Sequence, residues 1–475
     1  MMNEWLSASP LILISFAAVI ALVVDALTPN SERTTYHFSL VSLAIALVAA
    51  IITVPANGLA FSGMIRTGGA PAVLDSVFIV GGLLTIIAAR PYIAARNFEH
   101  DEFYTLVLYA TSGMMLIAHA QHLLILFIGI EVMSLSFYVL AGYFRQTVSS
   151  IESALKYFLL GAFATGFLVF GIALVYSATG SLDFGGIGTA IKNHTLTFPR
   201  LFPIGIALII VGLGFKVAVF PFHQWAPDVY DGAPTVVTGF MSTAGKAAAL
   251  GAFIPVVLDM ISLDEQSVQT VLALSATGTI IIGNIAAVVQ RRLKRMLAYS
   301  SVAHAGYMLI GLAAANHRGL TALVFYAVAY LFMQLGAFVV LAILERDVER
   351  SVELDDCAGL ATKHQGLAAA MALFMFSLAG IPPMAGFFGK YYLFTAAIEA
   401  GYTWLAIVGV IGSMISVYYY IGVVVYMYFK DARETIWATE MSATKRLPLV
   451  VTAAAVIVLG IVPSALESLL SGFWK

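Results

Sequence analysis

Four lysines lie inside stretches that are otherwise apolar: Lys156, Lys216, Lys246 and Lys390. One acid, Glu131, sits in the equally apolar run LFIGIEVMSLSFYVL. A charge at the centre of a bilayer costs at least about 2.5–3.5 kcal/mol on insertion scales, so residues of this kind are functional suspects wherever a membrane span holds them. The chemistry they offer is proton and ion handling. Desolvation disfavours an ammonium, which makes a lysine held out of water a group able to load and release protons. Glu131 could pair with Lys216 or Lys246, and such a pair would titrate as a unit that an approaching charge could open. The competing reading of each is a packing ion pair without transport.

The remaining polar candidates are more evenly balanced. Lys156 has Glu152 four residues earlier, which is ordinary helix support; snorkelling to the surface and a transport role stay open beside it. Lys390 has no acid close in sequence and falls past the mid-plane toward the outer side, so it is either the exit end of a path or a lysine snorkelling outward. His223 and His304 are the histidines expected within the bilayer, as proton relays or as rings bonded to a backbone carbonyl. His119 and His122 flank a short outer turn and are expected to be solvated. The basic run Gln290–Arg295, QRRLKR, reads as an orientation anchor, and Tyr418, Tyr419 and Tyr420 as packing aromatics.

Two breaks must position these groups. In Gly212–Pro234, GLGFKVAVFPFHQWAPDVYDGAP, Pro221 and Pro227 interrupt a helix just after Lys216. In Leu378–Lys390, LAGIPPMAGFFGK, Pro382 and Pro383 do the same before Lys390. A proline inside a helix frees carbonyls, and in lipid such groups survive only against protein or a watery cavity.

The whole chain is built for a membrane. Of its 475 residues 61% are hydrophobic and 11% charged, and the mean hydropathy is +0.94; no soluble domain has that composition. Hydropathy predicts fourteen helices near 10–28, 37–55, 74–90, 104–119, 123–144, 151–178, 203–222, 236–258, 268–289, 296–315, 319–344, 366–398, 403–429 and 448–470. The first run lacks a basic leader and cleavage site, so it is expected to be retained as a span. The cluster GGIG near Gly185 lacks a strand–helix context and is expected to be a loop. One cysteine, Cys357, cannot hold an iron–sulfur cluster or a cysteine zinc site. No cofactor or metal is expected on this chain, and no nucleic-acid partner.

The expected fold class is therefore an all-α integral membrane domain over 1–475. Fifteen lysines and arginines fall on odd-numbered connections and five on even ones or the C-terminus, which puts the odd connections in the cytoplasm and both termini outside. The broken helices, seventh and twelfth, are five spans apart and so cross in opposite directions, as in an inverted repeat. The expected units are helices 1–3 (1–103), a first five-helix repeat (104–262), a second (263–430), and helix 14 (431–475).

FKVAVFPFHQWAPDVYDGAP, LAYSSVAHAGY and GIPPMAGFFGK resemble the signature stretches of the subunit N family of respiratory complex I, the bacterial counterpart of mitochondrial subunit 2 and one of its antiporter-like proton-pumping subunits. The resemblance covers nearly the whole chain. The third motif is shared more widely, including with Mrp-type cation/proton antiporters. The resemblance implies a pairing of Glu131 with Lys216, a linking role for Lys246 between two half-channels, and an outward-side role for Lys390. It also matches Lys156 to a further family lysine on helix six, and His223 and His304 to positions on the family's polar axis. It implies a proton-translocating subunit of an NADH–quinone oxidoreductase in a bacterial inner membrane. NADH, FMN, iron–sulfur clusters and quinone would then belong to other subunits, with neighbouring antiporter-like and small hydrophobic subunits and the lipid bilayer as partners. Two alternatives are a subunit of an Mrp-type antiporter and a structural scaffold whose charges are packing ion pairs.

Overall fold

The structure, a computed structural model, describes residues 4–28, 31–260, 266–345, 351–432 and 441–474. Arg346, Arg350, Arg433 and Lys475, counted above for orientation, lie outside the described residues, as does the expected boundary at 262–263. Fifteen helices carry the fold: α1 Ser9–Leu27, α2 Glu32–Thr53, α3 Gly69–Ala94, α4 Glu102–His119, α5 Leu123–Ala141, α6 Val148–Thr179, α7 Leu201–Val217, α8 Thr235–Met260, α9 Gln266–Val288, α10 Leu293–Ala313, α11 His317–Leu344, α12 Gln365–Ala379, α13 Ala385–Glu399, α14 Thr403–Phe429 and α15 Ala443–Ile461. Among the described residues, eleven of them are long and apolar enough to cross a membrane; α4, α7, α12 and α13 are the others.

Local signals set the ends. His122 caps α5 by accepting from the Leu124 amide, and Asn316 caps α11 by accepting from Gly319. Gly180, at φ +70°, closes α6 in the left-handed conformation that glycine adopts freely. The helices then pack by close backbone approach. A Cβ on Gly113 of α4 would stand 2.5 Å from the Met133 nitrogen of α5, and one on Gly283 of α9 2.5 Å from the Ala303 nitrogen of α10. In lipid, where apolar surface gains little by leaving its surroundings, such small-residue contacts hold helices together. The interior is α3, α8, α10 and α11, with 78% to 94% of their most apolar stretches buried; α1, α2, α6 and α14 form the outer layer at 33%. Phe163 and Met414, about two-thirds exposed, are side chains of that lipid-facing layer.

Three local features depart from expectation. Residues 57–68 form an antiparallel hairpin, β1 Asn57–Ala60 with β2 Ile65–Gly68. The GGIG cluster is a helix, Phe184–Lys192, because the Asp183 side chain accepts from the Gly186 amide and starts it. The fourteenth predicted helix is two: α15 ends at Ile461 and Pro463 opens a short helix to Ser471.

Candidate functional site

The seventh helix stops earlier than hydropathy predicts. α7 ends at Val217, and Ala218 takes a left-handed φ of +64° that turns the chain out of the helix. The broken end is held by aromatic and polar contacts from its neighbours. Trp225 donates from Nε1 to the Phe215 carbonyl at 2.9 Å, and its ring lies stacked with Tyr157 (4.5 Å) and Phe215 (5.2 Å). The Phe220 amide donates to Thr279 Oγ1. These partners satisfy backbone groups that an intact helix would satisfy itself.

Lys216 is thereby fixed on the last turn of α7, 6% exposed. Its Nζ donates to Ser134 Oγ (2.8 Å) and Tyr138 OH (3.2 Å) of α5. Glu131 is on the same face of α5, one turn before Ser134, but it accepts from Thr165 Oγ1 (2.8 Å) and is not within ion-pair distance of Lys216. The expected contact pair is thus replaced by a lysine held on hydroxyls with the carboxylate about a turn away; serine and tyrosine at the next two positions of that face occupy the ammonium's donors. Tyr138 in turn requires Gly161 of α6, where a Cβ would stand 2.1 Å from its hydroxyl.

α8 is irregular where it matters. Residues Met241–Gly245 form a π-helical segment, a feature frequent at functional sites, and Lys246 follows at once. At 2% exposure, its Nζ donates to the Ser301 carbonyl and Oγ of α10, both at 2.5 Å. On the same helix His304 has Nδ1 2.6 Å from Tyr326 OH and Nε2 3.0 Å from Tyr420 OH. Tyr420 OH also bonds Ser300. Beside it, Tyr419 donates to Asn284 Oδ1, and Asn284 donates to Tyr307 OH. The Lys390 Nζ lies 4.9 Å above the Tyr307 ring.

The second break explains why Lys390 follows it while Lys216 precedes the first. α12 ends with Gly380 in the left-handed conformation, and α13 folds back so that Lys390 Nζ donates to the Leu378 and Ala379 carbonyls (3.0 and 3.1 Å) and Ser413 Oγ (2.8 Å). The lysine caps the negative end of the broken helix. Lys246, His304 and Lys390 therefore belong to one polar belt. Tyr419 and Tyr420, expected as packing aromatics, are members of it, because their hydroxyls turn inward; Tyr418 is 71% exposed. Tyr326, Ser301, Tyr307 and Asn284 were not singled out from sequence, since single hydroxyls and amides in apolar helices leave no hydropathy signal.

Two further predicted residues stand apart. His223 is buried in the chain after the first break, and its Nδ1 has no partner. Lys156, partly exposed, pairs with Glu152 (2.7 Å) and with Asp228 (3.0 Å). Asp228 also meets Arg295 (2.9 Å), and Arg292 and Arg295 reach Asp231. The QRRLKR run is thus more than an anchor: it clamps the segment after the α7 break to α10. Lys294, counted as a loop cation, is buried and donates to the Ala233 carbonyl. Burial alone would raise the Asp228 carboxyl, but the hydrogen bond from Lys156 and the charges of Arg295 and Lys156 outweigh it and hold the group below the usual carboxylate range. His119 is likewise not solvated: it is 1% exposed, with Nε2 2.7 Å from Asp75 Oδ2 and Nδ1 on the Arg66 carbonyl, because the hairpin covers the end of α4.

A family model described as "NADH:quinone oxidoreductase/Mrp antiporter, TM" matches residues 120–416. NADH-quinone oxidoreductase subunit N 1 of Chloroherpeton thalassium is 43% identical over 468 residues, spanning 98% of this chain and 97% of that protein. NADH-quinone oxidoreductase subunit N of Trichlorobacter lovleyi is 40% identical over 456 residues, 96% and 94% of the two. Among solved structures, a chain of respiratory complex I from Thermus thermophilus with bound aureothin has a TM-score of 0.84 at 34% identity, covering 97% of this chain and 99% of that one. A chain of the Mrp complex from Dietzia sp. shares the fold at a TM-score of 0.87 and 22% identity, with 100% and 97% covered.

Proposed function

The chain belongs to the NADH-quinone oxidoreductase subunit N family, and from that premise we propose that it carries protons across the membrane through its buried lysines, driven by redox chemistry on other subunits. It is an antiporter-like, multi-pass membrane subunit of a translocase. The finer reading assigns Glu131, Lys216, Lys246 and Lys390 to a mid-membrane proton axis, with His304 inside it and Lys156 and His223 at its margins. NADH, FMN, iron–sulfur clusters and quinone lie on partner subunits in this reading. The membrane is a bacterial inner membrane, and the basic-poor face with both termini is the outer one.

The observation that carries the proposal is the surroundings of the amines. Lys216, Lys246 and Lys390 are all buried, and their hydrogen-bond partners are hydroxyls and carbonyls. Among the described residues an ammonium there has no counter-ion in contact, so its proton is governed by charges farther off. Movement of Lys216 by one turn of α5, from Ser134 toward Glu131, would stabilise its charge; withdrawal would favour release. The proton then passes to Lys246, along the Ser301–His304–Tyr420 belt, and to Lys390. Two five-helix units related by an in-plane axis support two such half-paths, and the matching glycine contacts of α4 with α5 and α9 with α10, five helices apart, favour that repeat.

Purification of the assembly through this chain in mild detergent, followed by intact-mass analysis, tests the redox coupling. Flavin- and iron–sulfur-bearing partners are expected. Small hydrophobic partners alone, with sodium-dependent transport in vesicles, would favour the antiporter reading.

A further inference from the structure

We propose that Asp75 and His119 form a proton-release pair on the outer face, fed by Lys246 along the contact of α3 with α8; this rests on the reading of Lys246 as a proton carrier. Both side chains are buried, Asp75 at 0% and His119 at 1% exposure. Nδ1 of His119 faces a carbonyl, that of Arg66, so it must carry a hydrogen. The contact between Nε2 and Asp75 Oδ2 then holds one shared proton. Asp75 Oδ1 is buried without a partner. The pair can therefore lose the shared proton, leaving neutral imidazole beside carboxylate, and regain it, with no change elsewhere in its bonding.

The packing sets this store about one helical turn from the level of Lys246. A Cβ on Gly81 would lie 3.0 Å from the Ala244 Cβ, and one on Gly251 3.5 Å from the Leu74 side chain. α3 and α8 thus run antiparallel, with Asp75 level with residue 250. That is about 6 Å along the axis from Lys246, toward the outer end. There a cavity of about 250 Å³ is lined by Leu74, Ala118, Gly251, Arg66 and Asp259, the sequence neighbours of the pair and the end of the Lys246 helix. It has room for several waters. Of the charged residues on the elements packed against the pair, Arg66 on β2 and Asp259 at the end of α8 line the cavity, and the Lys246 amine is held on Ser301 of α10; Tyr92 and Glu345 are bonded to each other at the opposite end of α3. Release sends the shared proton into the cavity. Refilling takes a proton from the Lys246 ammonium, which becomes the neutral amine, when its side chain leaves Ser301 and swings toward the pair.

Inside-out membrane vesicles carrying the intact complex put the release side in the lumen. NADH-driven turnover should fall as the lumen is acidified, because luminal protons keep the pair filled. In Asp75→Asn and His119→Gln this luminal step should disappear while the external-pH profile stays, with neutral-pH turnover lowered roughly tenfold or more. An assembled variant with the wild-type luminal profile overturns the proposal. Loss of the assembled complex in both variants assigns the pair to tethering the hairpin and overturns it too. Lys246→Ala separates the two readings. Wild-type pumping there removes the carrier, whereas lost pumping there, with an unchanged luminal profile in Asp75→Asn, removes the release pair alone.

Discussion

At the scale of single residues, the polar belt makes discriminating claims about neighbours of the same type. Tyr420→Phe leaves His304 Nε2 and Ser300 without their shared partner, a buried loss of about 1–3 kcal/mol, and should slow NADH-driven proton uptake by vesicles. Tyr418→Phe, on the exposed face, should stay within about 0.5 kcal/mol of wild type in stability and leave uptake unchanged. Equal effects of the two would remove Tyr420 from the belt. Cys357 is buried, and burial pushes its thiol up to about 12. The native complex should therefore resist maleimide labelling at neutral pH and label only once denatured. The lysines were legible in sequence because a charge in an apolar run stands out. Their partners were not. Ser134 and Tyr138 reach Lys216 only because one face of α5 meets the end of α7, and nothing local to either helix states which faces meet.

At the scale of elements, the broken helices depend on side chains far along the chain. Trp225→Phe keeps the stacking with Tyr157 and Phe215 but removes one of the two hydrogen bonds on the Phe215 carbonyl, leaving the one from the Ala218 amide. It should cost about 0.5–1.5 kcal/mol, read as a lowered Tm of the purified complex. The clamp of Asp228 and Asp231 on Lys156, Arg292 and Arg295 has a pH signature. A carboxyl held below its ordinary value stabilises the fold above that value and loses the contribution as pH falls through the lower one. The Tm difference between wild type and Asp228→Asn should therefore be constant from pH 7 down to about 4 and shrink only below that; a difference that fades near pH 6 would contradict the depressed carboxyl. Prolines at 221, 382 and 383 announced the breaks in sequence. The π-helical segment before Lys246 was invisible, since it changes hydrogen-bond register without changing composition. So were the hairpin over α4 and the helix at Phe184, both too short for a hydropathy window.

At the scale of the whole molecule, the apolar runs gave the membrane class and nearly all helix positions, because length and hydropathy are what the bilayer demands of each span. They did not give the layering of α3, α8, α10 and α11 inside a lipid-facing shell, which follows from which helices carry small residues at their contacts. Lys246 lies on one of those interior helices, and in the proposed path Lys216 is the place where a charge change beyond this chain would first be felt. The direct measurement is proton uptake per NADH oxidised by inside-out vesicles whose complex carries Lys216→Ala, with assembly checked by native electrophoresis. A complex that assembles fully but has lost its pumping-linked activity is the expected result. Full pumping in that variant would contradict the buried-lysine path.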